Sequence, residues 1–371
     1  MSIVCRTDKG WVVSHYDYTK KIYTNVLSHS GLIDLTYNKN LFNIITPLMR
    51  DREVRNFLKD VSEKEFVLSK DLKRKGVKST LFDHEIKSVE NLFIEIVDLA
   101  KKKNLFLGEP SEEDYLSNNR DAREFAERLS SVSHKLICKG GNNSASPLIA
   151  TIEGRDYVIP SSCLFFSCDI RAIEQKLDGS RYDFVLLDPP WRNKFVRRKK
   201  LLNQGYDMLS NDDIKEIPIS KMLNNNGLVG VWCTNAPSHI ESVKETLFEK
   251  WGLEYCATWF WVKVTRSGEP ICPFYRNHSK KPYERIIFGH VCGHNNRVPE
   301  ENKIIVSVPS SVHSHKPPLP EILSDYLPNK PKCIELFARY LLPGWTSVGD
   351  QVLSLQYVPY FETDASEEVS K

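Results

Sequence analysis

The sequence predicts an α/β domain preceded by a mainly helical N-terminal domain. Three observations carry this. Of the 371 residues, 41% are hydrophobic and 27% charged, a globular balance with material for a large core plus a smaller unit. Up to about Gly141 the apolar residues recur at helical spacing. Beyond it, short apolar runs alternate with amphipathic stretches, the pattern of strands interleaved with helices.

Taken in order, Leu41 to Leu58 alternates at helical period. After Asp83, a suitable N-cap, Ile86, Val89, Leu92, Phe93, Ile96, Val97 and Ala100 form one stripe. A further helix is expected from Asn118 to Leu136, with Phe125, Ala126 and Leu129 on one side. Lys139 to Pro147 concentrates turn formers, which places a linker at 141–147 between domains at 1–140 and 148–361. Expected strands are Leu148–Ile152, Tyr157–Ile159, Cys163–Phe166, Tyr182–Leu187, Leu228–Cys233, Tyr255–Val264, Arg285–Phe288, Ile304–Val308, Cys333–Phe337 and Ser347–Gly349. Asn211–Leu223, Ser238–Trp251 and Leu319–Tyr326 read as helices, the first opened by a Ser210/Asp213 capping box. Residues 362–371 read as a frayed acidic tail.

Composition narrows the function. With 51 Lys and Arg against 48 Asp and Glu, a polyanion would have to be met by local patches. No apolar run approaches the roughly 20 residues of a membrane span, and no secretory signal is evident at the start. The nine cysteines include no Cys-x-x-Cys pair and read as reduced thiols of an intracellular protein. Cys272, His278, Cys292 and His294 have the spacing of no common zinc finger, so no metal is expected.

The sharpest signal is Tyr182 to Trp191, an apolar strand that ends in Asp188-Pro189-Pro190-Trp191. In open α/β sheets ligands bind beyond the carboxyl ends of strands. These residue types suit methylation of an amino group conjugated to an aromatic ring, a poor nucleophile because its lone pair is delocalised. Asp188 accepts one N–H and the Pro189 carbonyl a second, while Pro190 keeps the turn rigid. Trp191 is expected to stack on the base, a contact of about 1–3 kcal/mol. The bland alternative is a strand leaving through a proline turn.

Asp188-Pro189-Pro190-Trp191 resembles the catalytic motif of the adenine N6-methyltransferases related to the catalytic subunit of the mRNA adenosine methyltransferase. The likeness covers about Leu148 to Tyr357. Cys168-Asp169-Ile170-Arg171, Trp261-Val262-Lys263, His315-Lys316-Pro317, Glu335-Leu336-Phe337-Ala338-Arg339 and Gly349-Asp350-Gln351 match further motifs in order. The resemblance implies a permuted Rossmann-like methyltransferase domain and S-adenosylmethionine as cofactor. It implies a cofactor set of Asp169, Ile170, Asp188, Lys316, Phe337, Arg339, Asp350 and Gln351, with Lys316 on the methionine carboxylate. Tyr340 stands where a polar ribose contact is expected, and Asp350 replaces an asparagine. No Gly-x-Gly lies between Pro147 and Asp188, which separates this order from the protein-glutamine methyltransferases.

On the substrate side, Trp191, Trp261 and Glu284 are joined by the basic run Asn193, Lys194, Arg197 and Arg198 and by Tyr206. A charge run is usually a solvated face, but beside a base-methylating site it suits a phosphate track. Lys70, Lys73, Arg74, Lys75 and Lys78 form a second cluster that suits RNA or a solvated loop equally. Within the family the Trp191-to-Tyr206 stretch and the helical first half look most like a subgroup that methylates an internal 2′-O-methyladenosine of U2 small nuclear RNA. This implies a nuclear protein, with cytoplasm as the alternative, active as a monomer without a partner subunit. DNA adenine, or a catalytically silent adaptor of the same fold, are the alternative readings.

Overall fold

The computed structural model describes residues 2–48, 81–132, 134, 138–192, 208–274, 281–292 and 297–364. Strands β1 (Ile3–Arg6) and β2 (Gly10–Val13) lead into helix α1 (His15–Ile22) and three short strands, β3 (Val26–Ser28), β4 (Gly31–Ile33) and β5 (Leu35–Tyr37). Helices α2 (Leu81–Lys102), α3 (Glu112–Ser117) and α4 (Arg120–Ser130) follow. The next strands are β6 (Cys138–Asn142), β7 (Leu148–Ile152), β8 (Arg155–Ile159), β9 (Cys163–Ser167), β10 (Tyr182–Leu187) and β11 (Leu223–Cys233). The chain ends with β12 (Leu253–Lys263), β13 (Tyr283–Val291), β14 (Ile304–Ser307), β15 (Cys333–Leu336), β16 (Trp345–Val348) and β17 (Phe361–Thr363).

Eleven strands form one sheet in the order β1-β2-β14-β12-β13-β11-β10-β15-β16-β9-β6. Its centre, β11-β10-β15-β16-β9, is parallel throughout. β15 and β16 insert between β9 and β10, so the last strands of the chain lie between two earlier ones. This is the permuted Rossmann-like arrangement. Phe184, Val185, Leu186 and Leu187 are all buried because both faces of β10 are covered, which is why this strand reads as a continuous apolar run.

On one face Phe184, Leu186, Trp232, Trp259, Trp261 and Trp345 pack with residues of α1 and α4. On the other, Val185, Leu187, Val231 and Leu336 pack with Ile173, Ile214, Val243 and Phe248. Helix α2 covers β2, β12 and β14. Its stripe of Ile86, Val89, Phe93, Ile96, Val97 and Ala100 meets Val12, Phe260, Val262, Ile304 and Val306. Burial of each large side chain there contributes about 1.5–3 kcal/mol.

The N-terminal part departs from expectation. β1 and β2 extend the main sheet beside β14, so the described residues before 140, though richer in helix than in strand, are not a separate unit. Trp11-Val12-Val13 is a β-forming run buried on both faces, and the open edge of β14 takes it up. The expected linker is edge strand β6 followed by a turn. There Asn142 Nδ2 donates to the Ser146 and Pro160 carbonyls, and its Oδ1 accepts from Ser144. The expected tail begins as strand, since Glu362 pairs with Thr36 of β5. The expected helix over 211–223 is split at Pro218 into Asn211–Lys215 and Ile219–Met222. The one over 319–326 shortens to Pro320–Leu323. The expected Leu41–Leu58 helix is a single turn, Lys39–Phe42, as far as 48; its remainder lies outside the described residues. No described helix is long and apolar enough to cross a membrane.

Candidate active site

The parallel strands end at one edge of the sheet and deliver their following residues together. β10 is followed by Asp188, β9 by Asp169, β15 by Phe337 and Arg339, and β16 by Asp350 and Gln351. Two backbone features shape this edge. Phe337 holds φ at 63°, a left-handed conformation unusual for a bulky residue and typical of functional turns. A Cβ at Gly349 would lie 2.6 Å from the Ala338 carbonyl oxygen, so only glycine allows these two turns to touch.

Asp188 leaves β10 where the prolines end the hydrogen-bond ladder. Its Oδ2 accepts from Lys316 Nζ at 2.9 Å and from Ser314 Oγ at 3.0 Å. Lys316 also contacts Ser314 Oγ at 3.0 Å and Glu284 Oε2 at 3.3 Å. These contacts bring three oxygens around one ammonium. Glu284 pairs in addition with Lys263, whose ammonium lies 4.4 Å from the Trp261 ring centroid. The result is a chain of alternating charge, Lys263, Glu284, Lys316, Asp188. Burial by itself would lower the pKa of Lys316, but Asp188 and Glu284 hold it above its ordinary value. Burial opposes ionisation of Glu284 too, and the Lys263 and Lys316 ammonium groups outweigh it and keep the carboxylate ionised. Ser314 carries no motif of its own. Its position two residues before Lys316 was the only available signal.

Trp191 does not present a free face. It is 5% exposed, its indole N–H donates to the Trp232 carbonyl at 2.9 Å, and its ring packs 4.9 Å from His239. The stacking expected of it is therefore corrected: the indole fills core space and anchors the catalytic turn to β11. The Pro189 carbonyl accepts the Trp191 N–H at 2.8 Å, which leaves its second lone pair for another donor. Pro190 likewise accepts from Leu209. Trp261 is also buried, donating to Ser307 Oγ at 2.8 Å, so its indole lines the Glu284 side from within.

On the cofactor side, Asp169 caps the turn at Ile170 and is held by the Arg171 guanidinium, which keeps its carboxyl below the usual range. Arg339 donates to Gln351 Oε1 at 2.8 Å and to the His313 carbonyl at 3.0 Å. Glu335 is buried on β15 and its pKa is raised to about 8, first by burial and then by Asp188. Among the described residues, Glu335 Oε2, Ser347 Oγ and Arg339 Nε are buried without a protein partner. Such orphaned groups beside an open strand edge fit a polar ligand. Tyr340 faces the interior, 5.6 Å from His315, and not the strand edge. His315 packs against His15, Tyr37 and Tyr340, and burial lowers its pKa to about 3, so the imidazole is neutral.

The structure thus brings together Asp188, Pro189, Lys316, Glu284 and Lys263, with Asp169, Ile170, Phe337, Arg339, Asp350 and Gln351 along the neighbouring strand ends. Asn193, Lys194, Arg197, Arg198 and Tyr206 lie outside the described residues, as do the basic cluster at 70–78 and the zinc candidates His278 and His294.

The MT-A70 family profile matches residues 182–351, from the first residue of β10 to Gln351. The N(6)-adenine-specific methyltransferase METTL4 of Mus musculus is 41% identical over 231 residues, 59% of this chain and 48% of that protein. The N6-methyladenosine RNA methyltransferase MTA1 of Pyricularia oryzae is 36% identical over 185 residues, 47% of this chain and 48% of that one. The DNA N6-methyl methyltransferase of Caenorhabditis elegans is 29% identical over 309 residues, 82% of this chain and 77% of that one. The chain spans about half the length of the METTL4 and MTA1 relatives it matches. Within this permuted parallel sheet, residues 182–351, which hold the acid and two prolines at the end of the central strand together with Lys316 and Gln351, match the MT-A70 family.

Proposed function

We propose that this protein is an S-adenosylmethionine-dependent adenine N6-methyltransferase acting on RNA, with an internal 2′-O-methyladenosine of U2 small nuclear RNA as its target. The observation that carries it is Asp188, held through Oδ2 by Lys316 and Ser314 at the end of β10, beside the half-used carbonyl of Pro189.

The residues fit the cofactor. Lys316 offers a cation for a carboxylate, Asp188 an acceptor for an ammonium, Asp169, Asp350 and Gln351 acceptors for ribose and adenine, and Ile170 and Phe337 apolar surface. S-adenosylmethionine, when bound, supplies an electrophilic methyl group. The protein's own contribution is positioning. Asp188 accepts one N–H of the target amine and Pro189 the other, which turns the nitrogen lone pair away from the ring. The proton released on N–C bond formation passes to Asp188 or to water. Glu284 and Lys263 set the charge of Lys316, whose ammonium holds Asp188 Oδ2 in place while the amine is oriented.

A base inside a duplex cannot reach such a strand edge, so unpaired or splayed adenines are the expected substrates. Matched RNA and DNA oligonucleotides, each with and without 2′-O-methylation of the target nucleotide, test the proposal in one assay. Preferential transfer to the 2′-O-methylated RNA supports it. Equal or better transfer to DNA favours the second reading, DNA adenine methylation, which the likeness to the Caenorhabditis elegans enzyme over 82% of this chain motivates. Calorimetry with S-adenosylmethionine separates both from an adaptor, which would show no heat. We propose further that the protein acts in the nucleus as a monomer.

A further inference from the structure

We infer that Glu85 and Arg285 form a positioning pair through which helix α2 sets the catalytic charge chain. The kinetic arm of this inference rests on the methyltransferase reading above; its structural arm does not.

Side chains alternate along β13. Tyr283 and Arg285 face α2, while Glu284 between them faces Lys263 and Lys316. Arg285 is 2% exposed, and its Nη1 and Nη2 each lie 2.9 Å from a different oxygen of Glu85, a two-pronged pair. The same Glu85 carboxylate accepts the Tyr283 hydroxyl at 3.2 Å. Arg285 reaches on to Asn235 Oδ1 at 3.0 Å, and Asn235 returns a hydrogen bond from Nδ2 to the Tyr283 carbonyl at 2.7 Å. Asn235 stands two residues beyond β11, the strand next to β10. Three elements, α2, β13 and the end of β11, are therefore tied at one point directly behind Glu284.

A guanidinium buried here is costly unless fully paired, and an apolar side chain would pack as well. What the charged pair adds is direction. Two parallel hydrogen bonds fix the height and roll of β13 against α2, and thereby where Glu284 meets Lys316 on the opposite face. Another α2 ion pair, Lys101 with Glu269, is half-exposed and sits at the far end of the helix. A pair of that kind contributes little.

The test compares Glu85→Ala, Glu85→Gln, Arg285→Lys and Lys101→Ala in the full chain. Assays are run at a temperature where circular dichroism shows each variant folded. Glu85→Ala is expected to lower kcat about tenfold, with KM for an adenine oligonucleotide changed by less than about twofold, the pattern of misplaced rather than missing catalytic groups. Glu85→Gln keeps one acceptor oxygen but turns an amide N–H2 towards Arg285, so it recovers only part of kcat. Arg285→Lys loses the fork and moves kcat in the same direction, and decides the matter should Glu85→Ala not fold. Lys101→Ala keeps wild-type kinetics. Crystal structures of Glu85→Ala and Arg285→Lys are expected to show Glu284 beyond about 4 Å from Lys316, past ion-pair contact. Unchanged kcat with an unchanged Glu284–Lys316 contact, whatever the loss of melting temperature, overturns the inference and leaves a structural strut. A wild-type protein that methylates no adenine oligonucleotide overturns the proposed function alone; the crystallographic separation then decides the pair.

Discussion

Lys316 Nζ lies 2.9 Å from Asp188 Oδ2, although 128 residues separate them in the chain. Asp188 arrives on a strand and Lys316 on a loop, and a second carboxylate, Glu284, sits 3.3 Å from the same ammonium. One cation thus bridges two acids, and with Lys263 it holds Glu284 ionised against burial. The arrangement keeps Asp188 an acceptor, which is what orienting an aromatic amine requires.

Replacing Asp188 by alanine removes the acceptor but leaves Lys316 paired with Glu284. Methyl transfer is expected to fall by at least about a hundredfold, as when a group acting in the transition state is lost. Far-ultraviolet circular dichroism should stay near wild type, and much of the calorimetric binding of S-adenosylmethionine should remain. A variant retaining wild-type turnover would exclude the proposed role.

Lys316→Met strips both carboxylates of their shared partner, and only Lys263 remains for Glu284. Urea unfolding at pH 8 is expected to show a loss of about 3 kcal/mol, the cost of leaving buried charge unpaired. Glu284 is held below its ordinary pKa in the wild type, so its contribution is present above about 4.5, its ordinary value, and fades as pH falls through its folded value. The stability gap between wild type and variant should therefore hold from pH 8 to about 4.5 and narrow below it. A gap independent of pH would mean that lost packing alone is being measured.

Trp191→Phe keeps most of the buried volume and deletes the hydrogen bond to Trp232. The expected cost is about 1 kcal/mol of stability, the net worth of one such bond. Trp191→Leu cannot stack on a base. Because the indole is buried, its KM for oligonucleotide should match that of Trp191→Phe once both are assayed folded. A KM that rises only in the leucine variant would restore a stacking role.

Glu335 gives a pH signature of opposite sign. Its folded pKa is raised by burial and by Asp188 to about 8, against an ordinary value of 4.5. The stability it contributes is full below about 4.5 and is lost as pH rises through 8, because the unfolded chain releases that proton first. Wild type should therefore lose stability relative to Glu335→Gln by up to about 1.4 kcal/mol per pH unit across that window. Parallel profiles would show that Glu335 ionises normally in the folded protein.

Local pattern made a good part of this molecule legible. Tyr182–Leu187 is a strand with the expected ends, because a fully apolar run closed by Asp-Pro-Pro admits little else. The stripe from Ile86 to Ala100 is the buried face of α2 for the same kind of reason, a period that only a helix satisfies. Asp188 could be singled out because acid and proline stand at a strand end. Other features left no local trace. Trp11-Val12-Val13 joined the main sheet between β1 and β14 because β14, some 290 residues later, had an unpaired side. Trp191 turned inwards because a carbonyl of β11 waited for its N–H. Hydrophobic period and turn chemistry are properties of neighbours in sequence, and by themselves they determined most element types beyond 148 and singled out the acid, while the order of motifs came with the family resemblance. Which charge meets which, from Lys316 on Asp188 to Glu85 on Arg285, is a property of distance in space, and only the packing of strands and helices far apart in the chain decided it.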